Sequence, residues 1–217
     1  MTDAANADGP EAGPPQIYLV TPPAFEPEEF APLLERVLDS VPVACLRLSM
    51  ASTDETAVAR AADALRAIAH ARDVAIVIAQ HLQLVQPLGL DGVHFDDGAR
   101  KVRRAREVLG GDAIVGAFCG ASRHAGMTAG ETGADYVAFG PVGETALGDG
   151  SRAPRDLFEF WSEAIEVPVV AEGALSRALA ADMAAITDFV ALGEEIWRTD
   201  DPVAELRAYR AALENRG

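Results

Sequence analysis

Short apolar runs recur along the chain at near-regular intervals: QIYLVT from Gln16, VACLRL from Val43, VAIVIA from Val74, GVHF from Gly92, AIVGAF from Ala113, DYVAF from Asp135, PVVAE from Pro168 and DFVAL from Asp188. They are almost continuously apolar rather than alternating, as strands are when a parallel sheet buries both of their faces. The intervening stretches carry apolar residues at three and four spacing, which predicts helices over Pro27–Leu38, Thr53–His70, Ala99–Leu109, Met127–Thr132, Asp156–Ala164, Ser176–Ala184 and Pro202–Leu213. Ser52, Ser176 and Asp201 stand where helix N-caps are expected. The segment from His81 to Gly89 has room for about two turns and is the weakest unit. Eight strands alternating with helices predict an α/β fold, a single (β/α)8 TIM barrel, with a doubly wound open sheet as the alternative.

Composition narrows the setting. The 217 residues are 49% apolar, enough for one substantial core, and 34 acidic against 18 basic residues give a net charge of -16. That charge repels phosphate backbones and anionic bilayers, so neither nucleic acid nor a membrane is expected as partner. No apolar run approaches the length of a bilayer span. Cys45 and Cys119 fit no metal or disulfide spacing and read as reduced thiols of a cytoplasmic protein. The opening MTDAANADGPEAGPPQ is acidic and rich in Ala, Gly and Pro, without the basic start and apolar run of a signal peptide. It predicts a disordered tail over residues 1–15 ahead of a barrel over 16–217. Apolar positions on the helix faces permit a homodimer.

Barrels bind ligands over the C-terminal ends of their strands, commonly with phosphate on the loops after strands 7 and 8. Here those ends read LVTPP, LRLSM, IAQHL, HFDDG, AFCGASRH, FGPVGET, AEGAL and ALGEE. Arg47, at a strand end, is a fork-shaped cation able to hold an anionic ligand bidentately, or else one half of a surface ion pair. Gly140 and Pro141 are turn punctuation, or they leave the mouth open so that a flat ligand can approach the backbone. Asp96 and Asp97 are either ligands for a divalent cation or a solvated, helix-capping pair.

The order of these motifs resembles the thiamine phosphate synthase and TenI family over residues 16 to about 206. IYLVT resembles the family's opening strand, LR its Gln-x-Arg-x-Lys strand, and LDGVHF its Ala-Asp-Gly-Val-His-Leu. GADYVAFGPVGET resembles Gly-Ala-Asp-Tyr-x-x-x-Gly-Pro-Val-Phe-x-Thr, the most specific match, and VPVVAEGAL the phosphate strand Val-Pro-Val-Val-Ala-x-Gly-Gly-Ile. The resemblance implies a transferase that joins hydroxymethylpyrimidine pyrophosphate to thiazole phosphate, releasing pyrophosphate with Mg2+. It places Arg47 on pyrophosphate, Thr145 against the ligand, and Gly173, Ala174 and Gly193 at the phosphate. Ser122 and His124 stand for the family's Ser-x-His, displaced by a small insertion. In TenI-type tautomerases that histidine is the acid or base, while an exposed loop histidine is the plain alternative. Arg123 could instead replace a lost phosphate-binding cation.

The chain also departs from the family. The Gln and Lys flanking the arginine are Cys45 and Ser49, the Asn-Asp after strand 3 is Ala79 and Gln80, and the second metal aspartate falls near Ala99, with Asp96 and Asp97 just before it. The Thr-Lys after Thr145 becomes Leu147 and Gly148, the second phosphate glycine is Ala174, and Glu172, Glu194 and Glu195 add carboxylates where phosphate is expected. Three functions stay open: the transferase, a TenI-like thiazole tautomerase using His124, and a noncatalytic ligand-binding or regulatory barrel.

Overall fold

The computed structural model of the chain describes residues 13–145 and 151–215. Most of the tail expected at 1–15, and both Leu147 and Gly148, lie outside the described residues. Eight parallel strands close on themselves in sequence order: β1 Gln16–Val20, β2 Cys45–Leu48, β3 Ala75–Ala79, β4 Gly92–Phe95, β5 Ile114–Phe118, β6 Tyr136–Phe139, β7 Val169–Glu172 and β8 Phe189–Leu192. Closure comes from β8 pairing with β1, Ile17 opposite Val190. The outer ring holds α1 Pro27–Leu38, α2 Glu55–His70, α3 Val85–Leu88, α4 Val102–Leu109, α5 Arg123–Glu131, α6 Arg155–Ala164, α7 Arg177–Met183, α8 Glu194–Trp197 and α9 Pro202–Glu214. No described helix is long and apolar enough to cross a membrane.

The period of two along each strand splits the apolar residues into two cores. Ile17, Leu46, Ile76, Val93, Val137 and Leu192 face outward and pack under the helices. Their neighbours Tyr18, Cys45, Val77, Tyr136, Ala138, Val170 and Ala191 form a separate cluster inside the barrel. This division explains why every strand reads as continuously apolar.

Helix boundaries follow cap chemistry. The start of α2 moves from Thr53 to Glu55 because Asp54, not Ser52, accepts the Thr56 amide at 2.9 Å, while Ser52 accepts the amide of Asp54. Ser122 caps α5 by accepting the Ala125 amide, so that helix opens at Arg123 rather than Met127. Ser176 and Asp201 cap α7 and α9 as expected. Between β3 and β4 there is only a 3-10 turn, Leu82–Leu84, and the four-residue α3, in keeping with the weak signal there. The helix α8, unforeseen, starts directly from the end of β8.

At the opposite end from the candidate site, three aspartates repeat one device. Asp91, Asp135 and Asp188, each just before an even-numbered strand, accept the backbone amides of Ile76, Val115 and Val169 at 2.7–2.8 Å. They tie β4, β6 and β8 to β3, β5 and β7. The aspartate of GADY is thus a fastener of the barrel floor, where such residues serve stability.

Candidate functional site at the barrel mouth

Five polar side chains sit at inward-facing strand positions that are otherwise apolar: Tyr18, Arg47, His94, Tyr136 and Glu172. Arg47 is 5% exposed and His94 is fully buried. One Arg47 Nη donates to His94 Nε2 at 2.7 Å and to Glu172 Oε2 at 3.1 Å, and the other donates to Glu172 Oε1. Because arginine can only donate, His94 Nε2 must accept, and the ring proton is on Nδ1. That Nδ1–H donates to the Tyr136 hydroxyl at 2.9 Å, which in turn meets the Tyr18 hydroxyl at 2.7 Å. A polar chain therefore crosses the barrel beneath its mouth, from β1 through β6, β4 and β2 to β7. Gly116 makes room for it, since a Cβ there would lie 2.0 Å from Tyr136 Cζ.

The electrostatics follow from this burial. Burial, and then the Arg47 charge, hold His94 well below the usual histidine range, so the ring stays neutral. Burial works against the charged form of Arg47, but Glu172 and the neighbouring tyrosines outweigh it and lift the guanidinium above its ordinary value. Burial also raises the hydroxyls of Tyr18 and Tyr136 and pushes the Cys45 thiol up to about 12. Arg47 is accordingly half of an ion pair, though a buried one and not the surface pair considered from sequence.

Two cavities open above this chain. The first, about 490 Å³, lies over β1 and β5–β8 and is lined by Val20, Phe118, Pro141 and Ala191 with Thr145, Glu172, Gly173, Ala174, Gly193, Glu194 and Glu195. The second, about 690 Å³, lies over β2–β4 with Ser49, Ser52, Gln80, His81 and Asp96 on its walls. The structure thus brings Thr145, Gly173, Ala174 and Gly193 together, and gathers the positions matched to the family's pyrophosphate side, Ser49, Ala79 and Gln80, into the other cavity. Sequence reasoning missed Lys101, which donates to Gln80 at 2.8 Å and pairs with Asp97 at 3.3 Å, bringing a cation to this side of the mouth. It also missed Tyr18, His94 and Tyr136, which a search for polar residues at inward positions of apolar strands would have found.

Other expected residues lie apart. His124 is exposed and lines a groove beside α5 with Asp97, Arg100 and Arg103, and Ser122 is committed to capping that helix. Arg123 lies over the Phe160 ring. Asp96 and Asp97 diverge, one to the second cavity and one to the groove of His124, and neither caps a helix through its side chain. Among the described residues no three His, Cys, Asp or Glu side chains converge on a common point as a ready-made metal cage.

Gly140 has a backbone reason. A Cβ there would lie 2.2 Å from the carbonyl oxygen of Glu172, so the end of β6 can pass the end of β7 only as glycine. The loop is then held there by Val142 and Gly143 amides donating to Glu172 and Gly173 carbonyls at 3.0 Å. Gly173 takes a φ of +91°, natural for glycine, whereas Ala174 sits at +52°, where a Cβ is unfavourable. The three added glutamates are each engaged: Glu172 by Arg47, Glu194 by Arg198 at 2.5 Å, and Glu195 by the amides of Leu175 at 3.1 Å and Gly193 at 2.9 Å.

Comparison with known proteins identifies the relatives of the chain. The sequence profile of the family described as thiamine monophosphate synthase matches residues 17–196. The chain is 40% identical over 188 residues to the thiamine-phosphate synthase of Rhodospirillum centenum, covering 84% of this chain and 89% of that one. It is 38% identical over 199 residues to that of Erythrobacter litoralis, covering 88% and 92%. Among solved structures, the thiamine phosphate pyrophosphorylase of Pyrococcus furiosus shares the fold with a TM-score of 0.77 at 21% identity, over 93% of this chain and 96% of that one. With a family match that spans nearly the whole barrel and relatives this similar along most of their length, the chain belongs to the thiamine monophosphate synthase family.

Proposed function

We propose that the chain is a thiamine phosphate synthase, joining hydroxymethylpyrimidine pyrophosphate to thiazole phosphate. In this reaction the pyrimidine's methylene C–O bond breaks, pyrophosphate leaves with the electron pair, and the thiazole nitrogen closes a C–N bond to the resulting cation. The observation that carries the reading is the paired cavities over one barrel mouth, one built from the family's phosphate loops and one from its pyrophosphate positions.

The walls suit the step. Val20, Phe118, Pro141 and Ala191 offer apolar walls to flat rings, beside the Arg47–Glu172 ion pair. Lys101, paired with Asp97, meets the pyrophosphate side through its hydrogen bond to Gln80 on the cavity wall. Asp96, whose exposed carboxylate opens onto the second cavity, would be the residue to hold a Mg2+ there together with substrate oxygens, since Mg2+ is commonly held by one or two carboxylates plus substrate phosphates. Bound there, the ion would neutralise charge on the leaving group. A homodimer is compatible with this reading, because every group invoked belongs to one chain.

The location of His124 outside both cavities favours the transferase over a tautomerase that uses that ring. The test is pyrophosphate release with both substrates together and each alone, in Mg2+, by the wild type and His124→Ala. Release that needs both substrates and survives His124→Ala supports the transferase. Thiazole isomerisation without pyrophosphate release, lost in His124→Ala, would overturn it in favour of the tautomerase.

A further inference from the structure

The carboxylate of Glu195 lies where an incoming phosphate would be expected. Its Oε1 accepts the amide of Leu175, just past β7, and its Oε2 accepts the amide of Gly193, at the end of β8. Two anionic oxygens bridging amides from the ends of adjacent strands is the arrangement by which barrel loops hold a phosphate monoester. Among the described residues these amides are the polar partners of this carboxylate. Glu195 also lines the cavity with Gly173, Ala174 and Gly193, so its charge faces the space a ligand enters. The neighbouring Tyr209 hydroxyl, which donates to the Leu175 carbonyl, is pushed up to about 12 by burial and then by Glu195. The position of Glu194 is different: turned to Arg198, it leaves these amides alone.

We propose that Glu195 is a specificity-determining residue: a tethered anion that competes with the acceptor's phosphate for the Leu175 and Gly193 amides. A phosphate dianion must displace this carboxylate or accept its repulsion at contact distance, whereas a ring with a neutral hydroxyethyl tail meets neither obstacle. The chain therefore gains little from the phosphate of its acceptor and discriminates weakly between the phosphate ester and the free alcohol. This inference rests on the thiazole-accepting reading above.

The test uses Glu195→Ala and Glu195→Gln, the second keeping the shape while removing the charge, each first checked for wild-type thermal unfolding and circular dichroism. Isothermal titration with inorganic phosphate should show tighter binding in both variants, by about tenfold or more, since two charge-assisted hydrogen bonds no longer compete. The ratio of kcat/KM for the thiazole phosphate to that for the thiazole alcohol should rise in both by a similar factor. Unchanged or weaker phosphate binding in the folded variants overturns the proposal, and a gain in Glu195→Ala alone overturns the charge competition. The titration needs no turnover, so it remains decisive for Glu195 even if the coupling reaction fails.

Discussion

Removing the Glu172 carboxylate leaves the Arg47 guanidinium with two fewer accepting oxygens and no counter-charge, in a place where only 5% of the residue is exposed. Breaking a buried ion pair from one side costs about 3–5 kcal/mol. Glu172 itself is 22% exposed at the mouth, so water can partly replace it and the low end, about 3 kcal/mol, applies to Glu172→Ala. Glu172→Gln keeps one neutral acceptor worth roughly 1 kcal/mol, leaving about 2 kcal/mol. At about 2–4 °C per kcal/mol for a chain of this size, calorimetry should show Tm falling by about 6–12 °C in the first and about 4–8 °C in the second. The double variant Arg47→Met/Glu172→Leu removes the orphaned charge and should be at least as stable as Glu172→Ala alone. If both single variants melt within about 2 °C of wild type, or the double variant is less stable than Glu172→Ala, the buried pair does not organise the mouth as described.

Three further outcomes follow from the same interior. Gly116→Ala drives a Cβ to 2.0 Å from Tyr136 and should destabilise by about 1–3 kcal/mol, with tyrosine fluorescence reporting the displaced ring. His94 is neutral when folded and takes a proton when unfolded below about pH 6.5, so it favours unfolding as pH falls. Stability should drop by up to about 1.6 kcal/mol between pH 6.5 and pH 5 from this group alone, and His94→Gln should flatten that part of the Tm profile; equal slopes would show that His94 does not contribute. Ala174→Gly relieves the left-handed backbone and should raise stability by up to about 1 kcal/mol in urea unfolding, with no gain if the loop relaxes around alanine.

Much of the fold was legible because both signals it depends on are local. Strands buried on two faces must be apolar throughout, and α1 and α9 announce themselves by period and by Pro27 and Pro202 at their first positions. The start of α2 was decided between the side-chain oxygens of Ser52 and Asp54, a choice that spacing does not resolve, while Ser122 opens α5 ahead of the expected Met127 and a 3-10 turn over Gly98–Lys101 delays α4 from Ala99 to Val102. The first cavity was also readable, because Thr145, Gly173, Ala174 and Gly193 are all strand-end residues and closure of the barrel forces such ends together. The partnership of Arg47 with Glu172 was not, since it joins residues 125 apart in sequence across the barrel interior. Nor was the direction of each glutamate. Glu194 and Glu195 are adjacent in sequence, yet one turns to Arg198 and the other to backbone amides. Gly140 shows a subtler limit: the glycine was noticed, but its steric partner, the Glu172 carbonyl, belongs to a strand that only the closed sheet brings beside it.

The central claim, that coupling occurs in the cavity over β1 and β5–β8, is tested most directly by thiamine phosphate formation in the wild type and in Val20→Trp, which fills that cavity from its β1 wall. Product can be read as thiochrome fluorescence after oxidation, with circular dichroism confirming that both proteins are folded. The account predicts Mg2+-dependent product from the wild type and a loss of about 100-fold or more in the variant, as expected when a bulky side chain displaces a reacting ring from its attack geometry. No product from folded wild type, or undiminished turnover in Val20→Trp, would contradict it.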